Sequence, residues 1–220
     1  MQKLDVLNKL NCYSFNGDIM KVVCEYSHMG GSEILEQRYP KIDKEIYDVI
    51  NEVVGEKSKV SKEKIKKGKL LYSPSVFRTE FKNGFESKSF DVLIKNYDYK
   101  TCGSSKKVKA YKKFDFHKNK VAVQVQFGKY SFMMYDLAKF QYFYNENLIE
   151  VGVEIVPCLN LQKQMSSGMS YGEQLISDIL LLKKQFPIAP IKVILVDVEE
   201  QMNHGISDEE DNLDNILFRD

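Results

Sequence analysis

Lys113-Phe-Asp-Phe-His-Lys-Asn-Lys-Val-Ala-Val-Gln-Val-Gln-Phe-Gly-Lys-Tyr130 is the stretch on which the reading of this chain turns. Val121 to Phe127 alternates strongly apolar residues with others, the period of a strand whose successive side chains point to opposite faces. Gln124 and Gln126 therefore share one face, and Asp115 lies just ahead of the strand. An acid near one strand's start, with two polar residues two apart on its neighbour, can hold a hard divalent cation. The main-chain carbonyl of Val125, between the two, offers a further oxygen. The layout fits in position and falls one charge short, because an acid is expected where Gln124 stands. On spacing alone the residues also read as a turn aspartate and two glutamines on the polar face of an ordinary amphipathic strand.

Downstream of that strand the periodicities are clear. Met133 to Asn145 has helical spacing, and Leu148 to Pro157 predicts a second strand with Val151, Val153 and Ile155 on one face. Leu161 to Tyr171 predicts a loop, Glu173 to Phe186 a helix, and Ile191 to Val198 a third, wholly apolar strand. This alternation implies an α/β core with buried strands. Upstream, Ile19 to Tyr26 predicts a strand and Gly30-Gly31-Ser32 a turn with a serine N-cap. Ile34, Leu35 and, past Pro40, Ile42, Ile46, Ile50 and Val54 follow at helical spacing. The lysine-rich stretch 56–69 predicts a surface segment, or one that orders only with a partner. Residues 82–113 are polar and ambiguous.

Composition narrows the class. At 220 residues, 43% hydrophobic and 29% charged, the chain suits one soluble domain over 1–206 with an acidic C-terminal tail over 207–220. No run approaches the roughly 20 apolar residues that cross a bilayer, so no membrane partner is expected. Cys12, Cys24, Cys102 and Cys158 form no Cys-x-x-Cys pair, which favours a reduced, cytoplasmic setting over a disulfide frame or a zinc site. From Asp197 to Asp220 nine acids face Arg219 alone, a charge of −8, so the preceding residues carry +9. Seven lysines lie in Lys57–Lys69 and seven in Lys106–Lys120, the second run leading into Asp115. Such a body suits a polyanion, though lysine runs are as often plain solvated faces. His28, His117 and His204 show no triad or metal spacing. The aromatic run around Phe140 and Phe143 reads mainly as core, with part of it available for a dimer seam.

Phosphodiester hydrolysis is one chemistry that needs a site of the kind sketched by Asp115, Gln124 and Gln126. One or two Mg²⁺ ions supply an activated water and neutralise the developing charge on phosphorus. The residues support that direction by resemblance. Asp115-Phe116, Lys118 and Val121-Ala-Val-Gln-Val-Gln-Phe-Gly-Lys-Tyr-Ser-Phe132 resemble the active-site strand of the BglII/BstYI group of type II restriction endonucleases, BstYI above all. There the pattern is Asp, eight residues, then Glu-x-Gln, with Gln in place of the lysine of the broader PD-(D/E)xK nucleases. The likeness continues at Tyr135-Asp-Leu137, Val151-Gly-Val-Glu-Ile-Val-Pro157 and Met165-Ser-Ser-Gly-Met-Ser-Tyr171. Fainter echoes at Glu25-Tyr-Ser-His28 and Lys67-Gly-Lys-Leu-Leu-Tyr-Ser-Pro74 extend it over roughly residues 25–190.

The resemblance implies a PD-(D/E)xK restriction-endonuclease-like α/β core, a mixed central sheet flanked by helices. It implies a Mg²⁺-dependent homodimer that cuts double-stranded DNA at a palindrome centred on GATC, the counterpart of a cognate DNA methyltransferase. Asp115 corresponds to the metal-binding aspartate, Gln126 to the family glutamine, and Gln124 to the metal-binding glutamate. That departure removes a full charge from a hard-cation site, so weak metal binding and little cleavage are expected. Every neighbour stays as the active form requires, which fits an introduced Glu-to-Gln exchange better than natural loss. By the same resemblance Lys129 lies close to the bases, and Ser166 and Ser167 sit on a loop that enters the groove. Lys118 and Lys120 are expected on phosphates, with Ser73 a weaker candidate. Taken alone, these residues read equally as a surface lysine and a Ser/Gly turn. A repair or mobile-element nuclease, a non-cleaving DNA-binding protein and a protein-interaction domain are the competing readings.

Overall fold

The structure, a computed structural model, describes residues 17–182 and 185–199. Its elements in chain order are β1 (Asp18–His28), α1 (Gly31–Arg38), α2 (Pro40–Glu52), β2 (Val54–Gly55), β3 (Lys57–Val60), β4 (Leu70–Tyr72), α3 (Pro74–Ser87) and β5 (Asp91–Lys100). They continue with β6 (Lys107–Lys118), β7 (Val121–Val125), α4 (Tyr130–Asn145), β8 (Val151–Pro157), α5 (Leu159–Lys163), α6 (Gly172–Leu181) and β9 (Ile191–Glu199). Seven strands make one mixed sheet in the order β2-β1-β9-β8-β7-β6-β5, while β3 and β4 form a separate hairpin. The β7–β8 and β8–β9 pairs are parallel; the outer pairs are antiparallel. This is the expected mixed sheet flanked by helices.

Helices cover both faces of the sheet for a reason visible in β8 and β9, where apolar residues point both ways and need cover on each side. On one side, Phe77, Phe81 and Phe85 of α3, spaced one helical turn apart, are fully buried, each contributing about 2 kcal/mol of hydrophobic stabilisation. Phe127 packs against Phe77 and Phe81, and Gly84 of α3 closes on Val49 of α2. On the other side, Phe140 and Phe143 of α4 meet Phe114 of β6 at ring separations of 4.7 and 5.1 Å. Gly152 of β8 lets α4 come close: a Cβ there would lie 2.3 Å from the Phe140 ring.

Several expectations change. Gly30, with φ 78°, is the N-cap of α1 rather than Ser32, whose N–H is bonded to Ser27 Oγ at 3.2 Å. The stretch 56–69 is built into the β3–β4 hairpin and its turn, and lies on the surface as expected. The ambiguous residues 82–113 are the end of α3, β5 and most of β6. Strand β7 stops at Val125, two residues short of the expected end, and α4 begins at Tyr130, before Met133. The predicted loop from Leu161 opens inside α5, whose first turn is capped by Cys158 Sγ accepting from Leu161 N–H. Helix α6 ends at Leu181 instead of Phe186. The acidic tail 207–220 lies outside the described residues, as do His204 and Cys12.

Candidate active site at a strand fork

Two irregularities in the sheet place Asp115. Asp91 pairs with His117 but Leu93 pairs with Phe114, so Asp115 and Phe116 together oppose Val92: a β-bulge. Bulges re-aim side chains, and this one has a visible effect. Phe114 and Phe116, two apart, would share a face in a regular strand. Instead Phe114 packs on α4, while Phe116 stacks on Phe85 of α3 at 4.6 Å. The second irregularity is a fork. The β6–β7 ladder runs from Lys118–Val121 to Phe116–Val123 and stops, while β7 stays with β8 through Val125–Ile155. In that register the next rung would pair Asp115 with Gln124, so these two residues stand on either side of the opening. Asp115 is half exposed there and bonded to Lys113 Nζ at 2.8 Å, which raises the lysine's pKa.

Asp115 and the side chain of Val125 line a cleft of about 280 Å³ beside α3, together with Arg78, Lys82 and Glu86. Gln124 and Gln126 point to the other face, toward α4. Gln124 Oε1 accepts from Lys139 Nζ at 2.9 Å, and Gln126 Nε2 donates to Asp136 Oδ2 at 2.6 Å. Lys139 closes the network on Asp136 Oδ1 at 2.8 Å and lies 4.7 Å from the Phe114 ring centroid. Beneath them is Glu154, which pairs with Gln124 across the β7–β8 ladder and is fully buried. Among the described residues neither of its carboxyl oxygens has a partner at hydrogen-bond geometry, although Asp136 lies near enough to act on it. Burial raises the Glu154 pKa well above the carboxylate range, Asp136 adds to the shift and Lys139 opposes it. Burial also raises Asp136, with the charge of Asp115 adding to the shift, against Lys139 and Gln126, which hold it down. The cluster thus holds one ion pair, two amides and a buried acid that keeps its proton more tightly than an ordinary carboxyl.

The remaining sequence candidates separate into two groups. Ser170 ties its loop to the residue before Lys129: its Oγ and its N–H both donate to Gly128 O, at 2.7 and 2.9 Å. That loop carries Ser166, which accepts from Lys59 Nζ at 2.8 Å, and Ser167, whose N–H donates to Glu63 at 2.9 Å. Lys129, Ser166, Ser167 and the β3–β4 hairpin are thereby gathered at the β7 C-terminal end, where exposed Lys129 precedes α4. Lys118 and Lys120 lie at the other end of β7. Lys118 Nζ is held by Glu45 and the Lys88 carbonyl, both at 2.7 Å, and Lys120 Nζ donates to Asn147 O. Ser73 precedes α3 and hydrogen-bonds Ser75 Oγ. Sequence reasoning passed over Asp136, Lys139 and Glu154, although a lone acid inside Val151–Pro157 was a readable signal.

The mixed sheet, its fork and the bulged aspartate beside it describe an α/β fold with one candidate site at the β6–β7 opening. The fold matches the crystal structure of restriction endonuclease BglII complexed with a DNA 16-mer, with a TM-score of 0.61 and 21% identity over 80% of this chain and 75% of that one. Over residues 23–196 the sequence matches the family "Restriction endonuclease BglII/BglIII", and the chain belongs to that family. No curated protein matches it. Among the described residues no helix is long and apolar enough to cross a membrane.

Proposed function

We propose that the protein recognises double-stranded DNA at a palindrome centred on GATC, as a type II site-specific deoxyribonuclease whose chemistry Gln124 impairs. The observation that carries this reading is the fork, which leaves Asp115 and Gln124 on its two branches, one rung beyond the last β6–β7 pair, at positions that the family resemblance gives to two metal-binding acids. Lys129, Ser166 and Ser167, gathered beside the same end of β7, would read bases, the lysine donating to guanine O6 or N7. Exposed Phe132 and Tyr135 on α4 support a homodimer seam, a two-fold protein on a two-fold site. In a cell such an enzyme would work in the cytoplasm beside a methyltransferase that protects the same sequence.

Mg²⁺ is the cofactor of this reading, and the donors present do not fit it tightly. Asp115 is the one carboxylate on the two branches of the fork, and Lys113 already pairs with it. Gln124 offers an uncharged oxygen that accepts from an ammonium 2.9 Å away, where a hard dication needs anionic ligands. Among the described residues no three His, Cys, Asp or Glu side chains converge as a metal set. That contact favours a second reading, a DNA-binding protein that does not cut. Cleavage of GATC-containing duplex with Mg²⁺, before and after Gln124→Glu, separates them. An increase of at least about a hundredfold is expected, since a metal-bound carboxylate governs several kcal/mol of the barrier. Equal cutting by both forms would sink the assignment of Gln124. If neither form cuts while both bind duplex, the second reading stands.

A further inference from the structure

We infer that Arg78, with Lys82 one turn further along α3, forms a phosphate-binding subsite for the DNA backbone at the Asp115 cleft. The inference rests on the proposed DNA recognition and names residues that recognition has not used. Helix α3 carries two adjacent stripes. Phe77, Phe81 and Phe85 are buried in the core; Arg78, Lys82 and Glu86, each one residue later, line the cleft. Because Phe85 stacks on Phe116, the residue beside Asp115 in the bulge, the cationic stripe is held in fixed relation to Asp115. The core thereby sets where the charges go.

Charge matching points to an anion. Of the four charged groups lining the cleft, Lys82 pairs with Glu86 at 3.7 Å and Asp115 with Lys113 at 2.8 Å. Arg78 has no acidic partner among the described residues. Its guanidinium is a planar fork that fits two oxygens of one phosphate, so less side-chain freedom is lost per hydrogen bond formed than with lysine. Asp115 alone would repel a phosphodiester entering the cleft, and Arg78 offsets that repulsion. Lys82, already shared with Glu86, adds a weaker point charge.

The experiment measures binding of the full chain, without divalent metal, to 16-bp duplexes centred on GATC with each of the four symmetric flanks. The tightest duplex is then remade with one phosphate at a time replaced by an uncharged methylphosphonate. Arg78→Ala is expected to weaken binding about tenfold or more, and to lower the salt slope by about 1 per bound subunit. One methylphosphonate position should cost the unsubstituted protein a similar factor and cost Arg78→Ala almost nothing. Arg78→Lys should recover part of the affinity, and Lys82→Ala should lose less than Arg78→Ala. Circular dichroism of these surface variants checks that the fold is kept. If Arg78→Ala loses the same factor on every methylphosphonate duplex, the subsite is overturned while DNA recognition survives. If no GATC duplex binds better than a random one, the recognition itself falls and the subsite with it.

Discussion

Replacing Glu154 by Gln should stabilise the protein increasingly as pH rises. In the fold Glu154 of β8 is fully buried, faces Asp136 and Lys139 of α4, and keeps its proton above the usual carboxylate range. In the unfolded chain it ionises near pH 4.3. Below that pH both states bind the proton and the group is neutral to stability. Above it the folded chain binds more protons than the unfolded one, so stability falls until the folded group also ionises. The slope is about 1.4 kcal/mol per pH unit for one proton. Glutamine has nearly the same shape and no proton to keep, so Glu154→Gln removes this slope and leaves the rest. Urea denaturation of both forms at half-unit steps from pH 4 to 8 measures the gap in unfolding free energy. The gap should start small, widen by about 1.4 kcal/mol for each unit between the two pKa values, and then level off. A gap that stays constant across the series would show that Glu154 titrates alike in both states, and the reading of the α4 cluster as holding one protonated acid would be wrong.

Three further outcomes follow from the same geometry. Thermal unfolding with and without 10 mM MgCl₂ should show no shift for the chain as it stands; Gln124→Glu should gain about 1.4 kcal/mol, or about 3 °C, for a Kd on the order of 1 mM. Lys139→Met leaves Asp136, 3% exposed, without its ion-pair partner and should cost about 3 kcal/mol at neutral pH, less in acid where Asp136 takes up a proton. Gly152→Ala drives a methyl into the Phe140 ring and should cost about 1–3 kcal/mol in urea midpoint measurements, with the denaturant slope unchanged.

The chain from Val121 onward is legible because β8 and β9 are buried on both faces, α4 carries a long aromatic stripe and α6 an aliphatic one at Leu175 and Ile179. Strand β5 resists reading for the opposite reason. It is the sheet's edge, where Val92, Ile94 and Tyr99 are exposed and no face gives a clean alternation. Helix α3 is in principle readable from Pro74 at its first turn and phenylalanines at 77, 81 and 85, but the charged residues between them obscure the stripe. The bulge at Asp115 has no local signal, since it exists only in the register of β5 against β6. Lys118 shows the limit of local reasoning most plainly: it sits in a basic run that suggests phosphate, yet its partner Glu45 arrives from the far side of the sheet sequence, on α2. Lys139 looks like a solvated lysine in an aromatic helix until the fold places Asp136 and Gln124 around it.

The fork shows how an amide at position 124 is accommodated without disturbing the fold. Its two sides have different work. The α3 side is open, bears Asp115 and the cations Arg78 and Lys82, and can meet a substrate. The α4 side is closed, with Lys139 paired to Asp136 and burial holding the Glu154 proton above the usual carboxylate range. Gln124 sits at the boundary, its backbone in the β7–β8 ladder and its side chain in the closed network. An amide there satisfies Lys139 without adding charge, so the network closes with no cation from solvent. A glutamate there would place a second carboxylate beside Asp136 with only Lys139 to offset it, and would draw a dication toward the fork. On the proposed reading, charge at this position would decide whether the α4 cluster is complete by itself or needs a metal, while the aromatic packing of α3 and α4 does not touch Gln124.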